Sequence, residues 1–177
     1  KEGADYLLTS KLDDIAWIFN LRGSDVPDNP VFYAYSLIPA KGNATLFINE
    51  EKVPADLKEQ LAEEGVVLAP YHSVGAALAS LSSGTVLADP EEINASLLSR
   101  LPEQITQLEL PNPIELMKAL KTPEEIELIS EAMLKDGVAL VRFFAWLDRN
   151  LGKEEMTEQS LADKLLYFRK SLPGYIS

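Results

Sequence analysis

Only one histidine, His72, and no cysteine occur in this chain of 177 residues, which narrows its possible chemistry before any pattern is sought. Disulfides, thiolate zinc sites and cysteine nucleophiles are excluded together. Hydrolytic metal centres gather histidines and carboxylates around an ion, so a site here would rest on carboxylates with at most one imidazole. Asp13 with Asp14, and Asp25 with Asp28, are the pairs to inspect for oxygen ligation. Neither has the spacing of a known metal loop, and a helix first turn and a chain reversal explain them better. His72 follows Pro70 and Tyr71 at a strand-to-helix junction, where a capping or surface imidazole is expected rather than a ligand. No Gly-x-Ser-x-Gly elbow offers it a nucleophile. No Gly-x-Gly-x-x-Gly or Walker-type loop is present to cradle a phosphate.

One segment combines polar chemistry with stiffness. Between Arg22 and Pro30 stand Gly23, Ser24, Asp25, Pro27, Asp28 and Asn29. A guanidinium, two carboxylates and an amide on a rigid loop between apolar elements suit recognition, and Asx and arginine hydrogen bonds within the loop explain it nearly as well. Arg22, Asp25, Asp28 and Asn29 are therefore the candidate contacts to a cleft or interface. Phe143, Phe144 and Trp146 also cluster, but at helical spacing, where packing is the expected role.

Composition excludes two classes of partner. Sixteen basic against 28 acidic residues give a net charge of -12, which repels phosphate backbones and anionic membrane surfaces, so neither nucleic acid nor membrane is expected. The longest apolar run, residues 31–38, is far short of the roughly 20 residues a membrane helix needs, and no targeting segment precedes it. These features, with the missing cysteines, fit the cytoplasm. A content of 46% hydrophobic and 25% charged residues is that of a globular domain with a proper core.

The elements that must position these residues alternate over the first 110 or so positions. Short strands are expected at residues 5–9, 31–38, 44–48, 66–69, 85–88 and 104–108. Residues 31–38 and 44–48 should form a hairpin about Lys41, Gly42 and Asn43. Helices are expected from Ser10, taken as the N-cap, to Asn20, and at residues 54–64, 74–81 and 93–101. Antiparallel hairpin plus alternating units predicts an α/β fold with a mixed sheet flanked by helices. The rhythm changes at Pro111, Asn112 and Pro113, which divides the chain into residues 1–112 and a helical segment, 113–177. Thr122, Pro123 and Glu125 form a capping box with proline at the first helical position. Ile126, Ile129, Met133, Leu140, Phe144 and Leu147 continue as one apolar face to about Asn150, Leu151 and Gly152 end the helix, and a second helix runs from Thr157 to about Ser171. Two helices cannot hide such faces from each other, so loose packing or self-association into a homo-oligomer is expected.

The stretch 12–32, with Asp13, Asp14, Trp17, Asn20, Arg22, Gly23, Ser24, Asp25, Pro27, Asn29 and Pro30, resembles the middle-domain signature of the three-domain Xaa-Pro aminopeptidases, the aminopeptidase P family. Residues 120–129, including Thr122, Pro123, Glu124 and Glu125, resemble the linker and first helix that lead into that family's pita-bread catalytic domain. The segments around Phe143 to Leu147 and Thr157 to Arg169 are similar to the next helical stretch of the same family. The resemblance implies a creatinase N-terminal-like fold in residues 1–112 and the first helices of a truncated metallopeptidase domain in residues 113–177. It also implies a parent hydrolase that removes the N-terminal residue preceding proline, using two divalent ions, typically manganese, held by two aspartates, a histidine and two glutamates. Those ligands lie downstream of Ser177. No catalytic, cofactor-binding or metal-ligating role therefore passes to a residue of this chain, and an inactive piece of the enzyme is expected. The competing reading is a stand-alone binding or oligomerisation domain without enzymatic activity.

Overall fold

The computed structural model describes residues 3–176 and divides into two compact units, Lys1–Ala119 and Leu120–Ser177. In the first unit the strands β1 (Tyr6–Thr9), β2 (Ala34–Pro39), β3 (Ala44–Ile48), β4 (Val66–Pro70), β5 (Thr85–Ala88) and β6 (Thr106–Glu109) form one mixed sheet in the order β4-β3-β2-β1-β5-β6. Strand β2 runs antiparallel to both β1 and β3, while β3–β4, β1–β5 and β5–β6 pair in parallel. Reversing direction twice makes β1 parallel to β3. Five of the six strands thus end on the same edge, at Thr9, Ile48, Pro70, Ala88 and Glu109. In sheets of this kind ligands gather at the carboxyl ends of parallel strands.

Alternation along the strands sends residues to two cores. On β3, Leu46 and Ile48 join Ile15, Ala34, Leu61 and Val66 on one face, while Phe47 joins Leu8, Leu37, Leu78 and Val86 on the other. Helices α1 (Leu12–Ile18) and α2 (Ala55–Glu63) supply Ile15 and Leu61 to the first core, and α3 (Val74–Ala79) supplies Leu78 to the second. Each of these three side chains is at most 2% exposed, a burial that stabilises by about 1.5–3 kcal/mol apiece.

Several boundaries differ from those expected. Ser10 does not cap α1: the cap position is Lys11, which makes no side-chain cap bond, and the Ser10 hydroxyl instead donates to the Glu92 carbonyl at 2.7 Å. The expected helix over 93–101 shrinks to α4 (Ala95–Leu98), capped by Asn94, whose side chain accepts from the Leu97 N–H. His72 begins no α-helix, lying instead in a 3-10 turn, Tyr71–Ser73, that precedes α3. Helix α5 (Pro113–Ala119) falls within the first compact unit, Lys1–Ala119. Asn112 caps α5, accepting from the Ile114 N–H at 3.1 Å, Pro113 takes the first helical position, and Lys118 ties the helix to Asp13 and Asp14 of α1.

The second unit pairs α6 (Pro123–Asn150) with α7 (Glu158–Lys170). The expected capping box is present: Thr122 Oγ1 accepts from the Glu125 N–H and the Glu125 carboxylate accepts from the Thr122 N–H. Much of the apolar face read from the sequence of α6 stays uncovered, as two helices alone would leave it. Ala139 and Phe143 are buried, whereas Ile126, Ile129, Met133 and Phe144 are exposed. Arg169 on α7 donates to both oxygens of Asp136, and Asp136, Ala139 and Phe143 succeed each other at helical spacing, so α7 selects that face.

Candidate functional site

The loop carrying the candidate contacts is held by its own hydrogen bonds. Arg22 Nη1 donates to the carbonyls of Ala16 and Leu21, both at 2.9 Å, which ties the loop to the end of α1. Gly23 is needed for closeness: a Cβ there would stand 2.7 Å from the Cβ of Phe32. Asp28 has φ 59, the left-handed conformation that Asp tolerates, and it sits in a tight reversal where the Asn29 N–H donates to the Val26 carbonyl. Asp28 and Asn29 are exposed. The structure does not bring Asp25 and Asp28 together as a ligand pair.

Asp25 instead turns inward. Its Oδ2 accepts from the Tyr33 N–H at 2.8 Å and its Oδ1 from Lys52 Nζ at 2.6 Å. The Lys52 hydrogen bond, then the Tyr33 N–H, hold the Asp25 carboxyl below the usual aspartate range. Both partners line a neighbouring cleft of about 780 Å³ at the carboxyl ends of β3 and β4. Its walls are Tyr33, Ile48, Pro70 and Tyr71, with His72 beside them, and Asn49, Glu50, Glu51 and Lys52 complete the lining. Tyr71 stacks at a tilt on Tyr35, ring centroids 5.1 Å apart, and meets the His72 ring edge-on at 5.2 Å. Burial, then the Tyr35 hydroxyl, push the Tyr71 phenol up to about 12, so it is a neutral donor at all ordinary pH. The cleft can bind; among the described residues it offers no nucleophile with a base.

Asp13 and Asp14 enter a different arrangement, at the carboxyl ends of β1 and β5. Asp14 is fully buried, and its two oxygens accept from Asn112 Nδ2 at 2.9 Å and Lys118 Nζ at 2.5 Å. Asn112 Nδ2 also reaches Thr9 Oγ1 and Glu92 Oε2. Lys118 bridges Asp13 as well, and Lys11 pairs with Glu92 and Glu115. Burial pulls the Lys118 ammonium down, but its hydrogen bonds to Asp13 and Asp14 prevail and its pKa lies above the usual lysine value. Carboxylate oxygens of Asp14, Glu92 and Glu115 lie within 4.8 Å of one another, the spacing of a metal cluster. Lys11, Lys118 and the Asn112 amide already engage oxygens of all three, so this set does not fit a pair of divalent ions. It is a clamp that fastens α5 to α1 and β1.

Sequence reasoning missed the Tyr35–Tyr71 pair, the cleft and the roles of Asn112, Glu92 and Lys118. Asn112 alone had a readable signal, since an Asx residue followed by proline and an apolar run is a helix start. The others pair across gaps of many residues.

A family model for the creatinase/prolidase N-terminal domain matches residues 1–125. Among curated proteins, the chain is 32% identical over 98% of its length to "Aminopeptidase P2" of Arabidopsis thaliana, covering 29% of that protein. It is 35% identical over its whole length to "Xaa-Pro aminopeptidase 1" of Dictyostelium discoideum, covering 28% of it. Among solved structures, X-prolyl aminopeptidase from Caenorhabditis elegans, described as a cytosolic enzyme with a di-nuclear active site, superposes with a TM-score of 0.86 at 28% identity, over 98% of this chain and 29% of that one. The chain thus spans under a third of each of these proteins.

Proposed function

We infer the function from one premise: this chain belongs to the creatinase/prolidase N-terminal domain family. On that premise it is a supporting, non-catalytic part of a metal-dependent Xaa-Pro aminopeptidase, a hydrolase that removes the N-terminal residue preceding proline. The observation that carries this reading is the coverage. Essentially the whole chain aligns with such enzymes while occupying 28–30% of their length. The remainder of such an enzyme has room for the catalytic machinery. Two divalent ions, manganese by the family resemblance, then fall to residues outside this chain, in keeping with a carboxylate cluster whose oxygens are already paired with Lys11 and Lys118. Residues after Ala119 serve as the first helices of the metallopeptidase domain. The longer protein is cytoplasmic, acts on peptides with proline at the second position, and assembles as a homo-oligomer. The loop bearing Arg22, Asp25, Asp28 and Asn29 serves peptide binding through Asp25, which positions Tyr33 and Lys52 at the cleft.

The test compares two proteins in one assay. The 177-residue chain, purified to homogeneity and supplied with Mn²⁺, is expected to leave an Xaa-Pro peptide intact, while the longer protein hydrolyses it. Turnover by the short chain that co-elutes with it through successive columns overturns the reading, as does an inactive longer protein.

A further inference from the structure

We propose that the cleft at the carboxyl ends of β3 and β4 binds an arginine side chain of a peptide. Three observations bear on it. The first is the wall chemistry: Tyr33 is 51% exposed, and Tyr71, flanked by Tyr35 and His72, presents a second aromatic group to the same space. Aromatic faces attract cations, and a planar guanidinium can lie flat on them where a compact ammonium cannot.

The second is the charge. The charged residues lining the cleft include Glu50, Glu51 and Lys52, with Asn49 and His72 beside them. Lys52 is committed to Asp25 at 2.6 Å, and Glu50 meets Lys58 at 4.0 Å. Among the described residues the Glu51 carboxylate has no side-chain partner; its residue is held through the backbone, the N–H donating to Asn49 Oδ1 at 3.2 Å. An unpaired carboxylate lining the same cleft as two tyrosines complements a guanidinium, which can bind a carboxylate through two parallel N–H bonds. The net charge of -12 adds long-range attraction for a basic peptide.

The third is position. The cleft lies on the edge where five strands end, and the Asp25 bonds to the Tyr33 N–H and to Lys52 hold two of its lining residues in place. A preformed mouth of this kind needs little reordering to accept a side chain.

The inference rests on the proposed function only in taking the cation to be carried by a peptide. Binding is read on the 177-residue chain and hydrolysis on the longer protein, so failure of one is distinguishable from failure of the other. The ¹⁵N-labelled chain is titrated with a capped pentapeptide bearing a central arginine, and in parallel with the same peptide carrying citrulline, a neutral isostere, or lysine. Saturable amide shifts confined to residues 49–52 and 71–73, strongest for arginine and weakened by added salt, are the expected result. Glu51→Gln and Tyr33→Ala, both at exposed positions, should each weaken arginine binding about two- to fivefold, the range of a partly exposed ion pair or cation–π contact. Equal binding of the citrulline peptide, shifts confined to other parts of the molecule, or full affinity in Glu51→Gln with an unchanged thermal midpoint each overturn the proposal.

Discussion

Asp25 receives a backbone N–H from Tyr33 on one oxygen and the Lys52 ammonium on the other, so a residue that reads as a free loop carboxylate is a brace. Its partners explain its titration. The Lys52 hydrogen bond favours the ionised form, so the folded pKa lies below the unfolded value of about 3.9. A depressed carboxyl contributes stability that is present above the unfolded pKa and is lost as pH falls through the folded one. The expected outcome in a ¹³C-detected titration is a midpoint for Asp25 below that of an unstructured aspartate, with the Tyr33 amide shift following the same curve. Lys52→Met should raise the midpoint. An Asp25 midpoint indifferent to that substitution would show that the ion pair does not persist in solution. Arg22 illustrates the same point: its stereochemistry suits a ligand, but the guanidinium is already turned onto the Ala16 and Leu21 carbonyls.

Helix α5 shows how one buried amide can hold an element. Asn112, 3% exposed, accepts from the Ile114 N–H to start the helix and donates towards Asp14, Thr9 and Glu92 to dock it. Asn112→Ala removes a hydrogen bond to a fully buried carboxylate, a loss of about 1.5–3 kcal/mol where the acceptor is charged. The expected outcome is a lower urea midpoint with an unchanged denaturant slope, together with faster amide exchange in α5. Asn112→Asp should not rescue it, because a carboxylate would face Asp14 and Glu92. An unfolding midpoint within error of the parent would mean that Lys118 alone secures the helix. Local signals gave the cap at Thr122 and were present, though missed, for the cap at Asn112, since a cap joins residues two or three apart. They do not say which stripe of α6 is covered by α7, because that depends on the pairing of Asp136 with Arg169 across the two helices.

At the scale of the whole chain, burial is uneven between the two units. The sheet unit holds nearly all the buried side chains, whereas α6 exposes Leu128, Ile129, Met133, Leu134, Val141 and Phe144, and no residue of α7 is buried. Amide exchange should therefore be slowest in β1, β2 and β5 and at least about tenfold faster in α7, since local opening costs least where little apolar surface is buried. Sedimentation should also report association that grows with concentration. Uniform protection across residues 158–170 in a strictly monomeric sample would contradict both. Among the described residues no helix is long and apolar enough to cross a membrane. By itself the sequence determined the alternation of short strands and helices, the mixed sheet, the capping box at Thr122 and the family resemblance, because these depend on residue type, period and neighbours within a few positions. Tertiary structure alone decided that Asp25 pairs with Tyr33 and Lys52, that Asp14, Glu92 and Glu115 converge on lysines, and that Tyr33, Tyr71 and His72 line one cleft. Those facts depend on partners such as Asp14 and Asn112, 98 residues apart, whose meeting is set by the order and direction of strands in the sheet rather than by any local pattern.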